Sequence, residues 1–150
     1  MKFKQPLNIL LADDDKDDRL FFEKALAEIP IATHLTTVND GEELMDYLEK
    51  NIDNLPDVIF LDLNMPRKNG YESLVEISEN ENLKDIAVVI LSTSFPQDRN
   101  YELGTIRHLF KLKARVFIRK PRDFALLKQV ILHAIAMTTE SNELKYILNA

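Results

Sequence analysis

The chain has 150 residues, the length of one ordinary domain, with 45% hydrophobic and 29% charged residues, a globular composition. It carries 25 acidic against 19 basic residues, a net charge of −6, and no cysteine, which excludes disulfides, thiolate metal sites and thiol nucleophiles. Gly41, Gly70 and Gly104 lie too far apart for a P-loop or a G-x-G-x-x-G turn, and His34, His108 and His133 are too scattered for an H-E-x-x-H zinc helix.

Leu7 to Ala12 is a short apolar run that stops at a cluster of aspartates, and it reads as a buried strand. From Asp17 to Ile29, Leu20, Phe21, Ala25, Leu26 and Ile29 recur at helical spacing until Pro30 ends the pattern. Thr33 to Val38 is short and β-branched, a second strand, closed by the turn Asn39-Asp40-Gly41. The next helix, Gly41 to Ile52, sets Leu44, Met45, Leu48 and Ile52 on one face. A third strand, Pro56 to Leu61, runs directly into Asp62, and Asn69-Gly70 turns the chain into a helix from Tyr71 to about Glu79. Ile86 to Leu91 is a continuously apolar fourth strand, expected to be covered on both sides. A helix over Gln97 to about Lys113, a strand over Arg115 to Arg119 and a helix from Arg122 to about Met137 complete the series. Residues 138–150 begin polar and either end as a short helix over Leu144, Ile147 and Leu148 or fray.

Five strand–helix units with apolar strands argue an α/β fold, a parallel sheet with helices on both faces. No apolar run approaches the 18 or so residues of a membrane span, and Met1-Lys2-Phe3-Lys4 leads into no signal-peptide core, so a cytoplasmic protein is expected. The charge is segregated. Five of the six residues from Asp13 to Asp18 are aspartates, whereas Arg107 to Lys128 holds eight Lys/Arg against Asp123 alone. That contrast suggests an acidic pocket and a basic face.

In an open α/β sheet, ligands bind beyond the carboxyl ends of the strands. Asp13, Asp14 and Asp15 follow the first strand, Asp62 the third, Ser92, Thr93 and Ser94 the fourth, and Lys120-Pro121 the fifth. Singly these are ordinary: a strand-end aspartate is most often a helix cap. Converging at the end of one sheet, they form a pocket of carboxylates, a hydroxyl and an ammonium. Crowded carboxylates repel unless a cation is shared, and a hard divalent ion such as Mg²⁺ takes carboxylate and phosphate oxygens. A carboxylate can also attack phosphorus to give an aspartyl phosphate.

The set Ala12-Asp13-Asp14-Asp15, Leu61-Asp62-Leu63-Asn64-Met65-Pro66 with Gly70, Leu91-Ser92-Thr93 and Phe117-Ile118-Arg119-Lys120-Pro121 resembles the receiver domain of two-component response regulators. The resemblance spans about residues 6–137, leaving 138–150 as a C-terminal tail. It implies a flavodoxin-like, doubly wound sheet of five parallel strands in order 2-1-3-4-5, with five helices in three α/β/α layers. It further implies Asp62 as phosphoacceptor, with Mg²⁺ held by Asp13, Asp14, Asp62 and the main-chain carbonyl of Asn64. Ser92 matches the hydroxyl that bonds the phosphoryl group (Thr93 if the register slips by one), Lys120 the family lysine, and Phe117 the aromatic switch. The implied partner is a sensor histidine kinase or phosphotransfer protein. With about a dozen residues after the last helix, the chain resembles stand-alone receivers, including those that serve phytochrome-type kinases. The implied output is a change on the face of the fourth helix, fifth strand and fifth helix, including phosphorylation-enhanced homodimerisation. Two departures stand out. The stretch from Ser92 to Lys120 is longer than usual, and Lys113 stands where many family members have glycine.

Two other readings compete. A Mg²⁺-dependent phosphatase with an aspartate nucleophile needs a second carboxylate two residues on, where this chain has Asn64, so a switch rather than an enzyme is expected. A flavodoxin-like FMN binder would place the cofactor phosphate against five aspartates, which repel it. No nucleic-acid or membrane partner is expected of so acidic a domain.

Overall fold

The computed structural model describes residues 6–92, 107–140 and 146–148. In chain order the elements are β1 (Leu7–Ala12), α1 (Lys16–Ala27), β2 (Thr33–Val38), α2 (Gly41–Lys50), β3 (Val58–Leu61), α3 (Gly70–Glu79) and β4 (Ala87–Ser92). Then come α4 (helical over 107–111), β5 (Val116–Arg119), α5 (Phe124–Glu140) and β6 (Tyr146–Leu148). The strands form one parallel sheet in the order β2-β1-β3-β4-β5-β6. The expected five-stranded order is therefore present, with one strand added at its end. Residues 97–106 of the expected fourth helix lie outside the described residues.

Side chains alternate across the sheet and so feed two cores. Leu7, Ile9 and Leu11 of β1 pack with Phe22, Val116 and Ile131 on the side of α1 and α5. Leu10, Ile59, Ile90 and Phe117 pack with Leu44 and Leu74 on the side of α2, α3 and α4. Every residue of β3 and β4 is buried, as continuously apolar strands covered on both faces require. β2, at the edge, is threonine-rich and mostly half-exposed. Phe22 meets Phe60 edge-on at 5.0 Å, and Phe21 meets Phe124 at 5.4 Å, which locks α1 against the sheet and α5.

Some sequence expectations need correction. In the tail, α5 runs on to Glu140, and Tyr146–Leu148 pair in parallel with Val116–Ile118, so Ile147 and Leu148 lie on a strand and not on the expected short helix; Leu144 lies outside the described residues. Tyr and Ile favour strands, and the outer edge of β5 offers unpaired backbone groups that a sixth strand satisfies. Ile52 lies beyond the end of α2 and is 41% exposed, and Leu20 faces solvent from α1. The basic window is also not one face. Lys120 turns into the acidic pocket, the Arg115 guanidinium donates to the carbonyls of Thr138 and Asp85 at 3.3 Å, and Lys128 pairs with Glu28 at 3.1 Å.

Lys113 explains its own oddity. The chain leaves α4 with Lys113 N–H on the Phe110 carbonyl at 3.0 Å and Ala114 N–H on the Leu109 carbonyl at 3.2 Å. That closure needs a left-handed residue, and Lys113 has φ 73°. Glycine takes this conformation without a Cβ penalty. Lys113→Gly is therefore expected to stabilise the fold by about 0.5–1 kcal/mol, read from the urea midpoint at unchanged slope. A loss of stability would show that the lysine side chain contributes more than its backbone strain removes.

Candidate functional site

The acidic run after β1 divides its work residue by residue. Asp13 is buried (1% exposed); its N–H donates to the Val38 carbonyl at 3.1 Å, and its Oδ1 accepts the Asp15 N–H at 3.0 Å. Asp14 is exposed. Asp15 caps α1, accepting the Asp18 N–H at 3.0 Å. In the first turn of α1, Arg19 Nη1 donates back to the Asp13 carbonyl at 2.8 Å, holding the loop onto the helix. Asp18 faces the lysine described below.

Asp62 leaves β3 with its N–H on the Ala12 carbonyl at 3.0 Å, which places it beside Asp13. Its Oδ1 accepts from the Asn64 N–H at 3.0 Å and from Ser92 Oγ at 3.2 Å. The loop behind it is set by a glycine. A Cβ on Gly70 would lie 2.1 Å from the Asp62 carbonyl oxygen, so only glycine lets α3 start this close to the site. Asn69 closes that start with a capping box to Glu72. Across the loop, Arg67 Nη1 reaches the buried Asp40 carboxylate at 2.9 Å and ties it to the N-terminus of α2.

Lys120 joins these pieces. Its N–H donates to the Ser92 carbonyl at 3.2 Å, and its Nζ lies 2.5 Å from Asp13 Oδ2, 3.0 Å from Asp62 Oδ2 and 3.0 Å from Asp18 Oδ2. Burial works against the ammonium, but Asp62, Asp13 and Asp18 outweigh it and hold Lys120 above its ordinary pKa. Burial also dominates at Asp13: despite the lysine, its carboxyl is pushed up from 3.8 to about 6. Among the described residues, no buried side-chain nitrogen or oxygen lacks a hydrogen-bond partner.

Carboxylate oxygens of Asp13, Asp14 and Asp62 lie within 4.8 Å of one another, close enough to share one cation. Three carboxylates meet one ammonium and Asp14 adds a fourth beside them, so the donor set carries surplus negative charge that suits a hard divalent ion. Beside the site, a cleft of about 370 Å³ opens between α1 and the start of α5, walled by Asp17, Asp18, Phe21, Lys120 and Arg122. Phe117 is buried on β5, and Thr93 lies outside the described residues.

Residues 9–132 match the response regulator receiver domain. The chain belongs to this family. Response regulator Rcp1 of Synechocystis sp. is 38% identical over 113 residues, covering 71% of this chain and 77% of that protein. The probable methanogenesis regulatory protein FilR2 of Methanothrix harundinacea is 28% identical over 134 residues, 87% of this chain and 83% of that one. The phosphorylated cyanobacterial phytochrome response regulator RcpA superposes with a TM-score of 0.74 at 35% identity, covering 89% of this chain and 94% of that structure. The Mn²⁺-bound form of Rcp1 gives 0.74 at 30% identity over 91% and 96%. Receiver domains are signalling switches that accept phosphoryl groups from histidine kinases, and phosphorylation on an aspartate with Mg²⁺ is typical of the family. In this receiver, no helix among the described residues is long and apolar enough to cross a membrane.

The expected site residues Asp13, Asp14, Asp62, Ser92 and Lys120 come together, whereas Phe117 lies within the core and Asn64 joins through its N–H. Asp18 and Arg19 were not singled out by sequence reasoning, although their position one turn beyond the aspartate pair on a capped helix is a usable signal.

A divalent cation should stabilise this receiver by about 2–3 kcal/mol at a hundredfold excess over its Kd, read as a rise in melting temperature. Asp14→Ala should abolish that rise; a response that survives places the ion elsewhere. Protons compete for Asp13, so cation affinity should fall about tenfold from pH 7 to pH 5, given a carboxyl held near about 6. Without the cation the sign reverses: the raised carboxyl favours the fold when protonated, so its contribution is present below about pH 4 and lost as pH rises through about 6. Titration calorimetry and pH-dependent melting, with Asp13→Asn as control, check both signs.

Proposed function

We propose that this receiver is a single-domain response regulator of a phosphorelay whose phosphoacceptor is Asp62. The observation that carries the reading is the Asp62 carboxylate itself, held by Ser92 Oγ on one oxygen and Lys120 Nζ on the other, with Asp13 and Asp14 in cation-sharing range. In the transfer, an Asp62 oxygen forms a bond to phosphorus as the bond from phosphorus to the donor atom breaks. The donor leaves with that electron pair: a histidine imidazole from a kinase or phosphotransfer protein, or acetate from acetyl phosphate. Mg²⁺, held by Asp13, Asp14, Asp62 and the Asn64 carbonyl, would neutralise phosphoryl oxygens. Lys120 and the Ser92 hydroxyl are placed to donate to the phosphoryl oxygens, so catalysis is by positioning and charge.

This makes the protein a switch and not an enzyme, because Asn64 offers no proton to turn over a substrate. A cytoplasmic location follows from a kinase donor, and similarity to the phytochrome response regulator RcpA supports a phytochrome-type kinase. Incubation with acetyl phosphate and Mg²⁺ should add one phosphoryl group by intact mass spectrometry. Asp62→Asn and chelation should each remove it; unchanged labelling of Asp62→Asn refutes the assignment.

The output is read from α4, β5 and α5. Ser92 and Phe117 lie on adjacent strands, with Ser92 beside Arg119 and Ile90 beside Phe117, so a pull on the hydroxyl is felt on β5. Arg107 and Lys111 stay exposed on α4 for an acidic partner or a second copy, whereas Asp98 and Glu102 lie outside the described residues. Beryllofluoride should shift sedimentation from monomer to dimer at low salt. A monomer in every condition rules out self-association and leaves the face to a heterologous partner.

A further inference from the structure

We propose that Asp18 is a positioning residue for Lys120, the anchor that keeps its ammonium in place while its other two partners change. The proposal rests on Asp62 as phosphoacceptor, and Asp18 belongs to neither the aspartate pair nor the cation-sharing cluster.

An ammonium has three N–H donors, and each of the three on Lys120 has one carboxylate: Asp13, Asp18 and Asp62. Two of those acceptors are altered by the reaction. Asp62 becomes an acyl phosphate whose negative charge lies on the phosphoryl oxygens and no longer on the carboxyl group, so the donor it accepted must move to a phosphoryl oxygen. Asp13 is in the cluster that would share the cation, and an oxygen spent on a metal accepts more weakly. Asp18 alone keeps the same charge and lone pairs before and after transfer.

Its setting fits an anchor. The Asp18 N–H is pinned by the Asp15 cap, so the side chain projects from the first turn of α1, a capped helix start beside the site. Arg19, its neighbour, fixes the same turn to the Asp13 carbonyl. The Asp18 side chain is 45% exposed, against 2% for that of Asp13 and 8% for that of Asp62, so it can adjust to follow Lys120 without leaving a buried charge unpaired. Its negative charge also lies near the incoming phosphoryl group, and that repulsion opposes the anchoring effect. Because a half-exposed charge is screened while the hydrogen bond is direct and charge-assisted at 3.0 Å, positioning prevails.

The test uses Asp18→Ala, Asp18→Asn and Asp18→Glu in the full chain, phosphorylated by acetyl phosphate at saturating Mg²⁺. Asp18→Ala should slow phosphorylation of Asp62 about tenfold, the contribution of one charge-assisted hydrogen bond. The half-saturating donor and Mg²⁺ concentrations should stay within about twofold, since Asp18 lies outside the cation-sharing cluster and acts through Lys120. Asp18→Asn, which keeps an acceptor, and Asp18→Glu should each restore at least half of the loss on a logarithmic scale. In a second measurement, without phosphoryl donor, acylation of Lys120 by an amine-reactive ester should rise about threefold in Asp18→Ala and stay near the parental level in Asp18→Asn. Phosphorylation at or above the parental rate in Asp18→Ala overturns the proposal, as does Lys120 labelling unchanged from the parent. A slowed rate that Asn and Glu both fail to rescue overturns it too, because the effect is then not that of an acceptor at this point. If the parent itself takes no phosphoryl group at Asp62, the phosphoacceptor assignment has failed, and the labelling comparison still decides whether Asp18 holds Lys120.

Discussion

Lys120 lends its three N–H donors to carboxylates on three separate stretches of chain, the end of β1, the first turn of α1 and the end of β3, and does so from the end of β5. A buried ammonium of this kind is costly unless each donor is used, and buried carboxylates are costly unless an ammonium or a cation meets them. Each group thus makes the others tolerable, which binds segments about a hundred residues apart in sequence into one site. The balance stays incomplete, because one positive charge faces several negative ones. That residual charge is a local electrostatic cost of the kind a shared cation relieves.

The sheet topology makes this convergence possible. All strands run in one direction, so β1, β3, β4 and β5 deliver their last residues to the same end. The helices that follow start at that end, and their N-termini carry partial positive charge which favours nearby carboxylates. Capping by Asp15, Asp40 and Asn69 uses acids or amides at just those points. Gly70 then lets α3 begin against the Asp62 carbonyl without pushing the strand end outward.

Much of this was legible in the sequence because its signals are local and periodic. Apolar runs stopping at polar clusters mark strands buried on both faces, and Asp62 and Lys120 stand where such runs stop. Asp18 was harder to recognise, since its role depends on reaching a lysine 102 residues away that only the folded sheet brings near. The tail was ambiguous for a related reason. Tyr146-Ile147-Leu148 is apolar enough for either period, and the free edge of β5, a feature of the tertiary structure, selects the strand. The dense basic window looked like a surface, yet Arg115 and Lys120 are spent inside the fold on carbonyls and carboxylates. Linear charge counts do not separate solvated cations from structural ones.

The sixth strand limits the ways in which the domain can be read. With Tyr146–Leu148 alongside Val116–Ile118, the backbone of β5 has a neighbour on both sides at Phe117. A partner that recognises other proteins by adding a strand would meet β6 or the threonine-rich β2, not the strand that carries the aromatic. A change at Phe117 would therefore reach a partner through side chains on the adjoining helices, or at second hand through β6, and not by direct pairing with β5. A message carried by side chains depends on residue identity, whereas backbone pairing accepts almost any sequence. By closing that edge, the chain exchanges a permissive surface for a discriminating one.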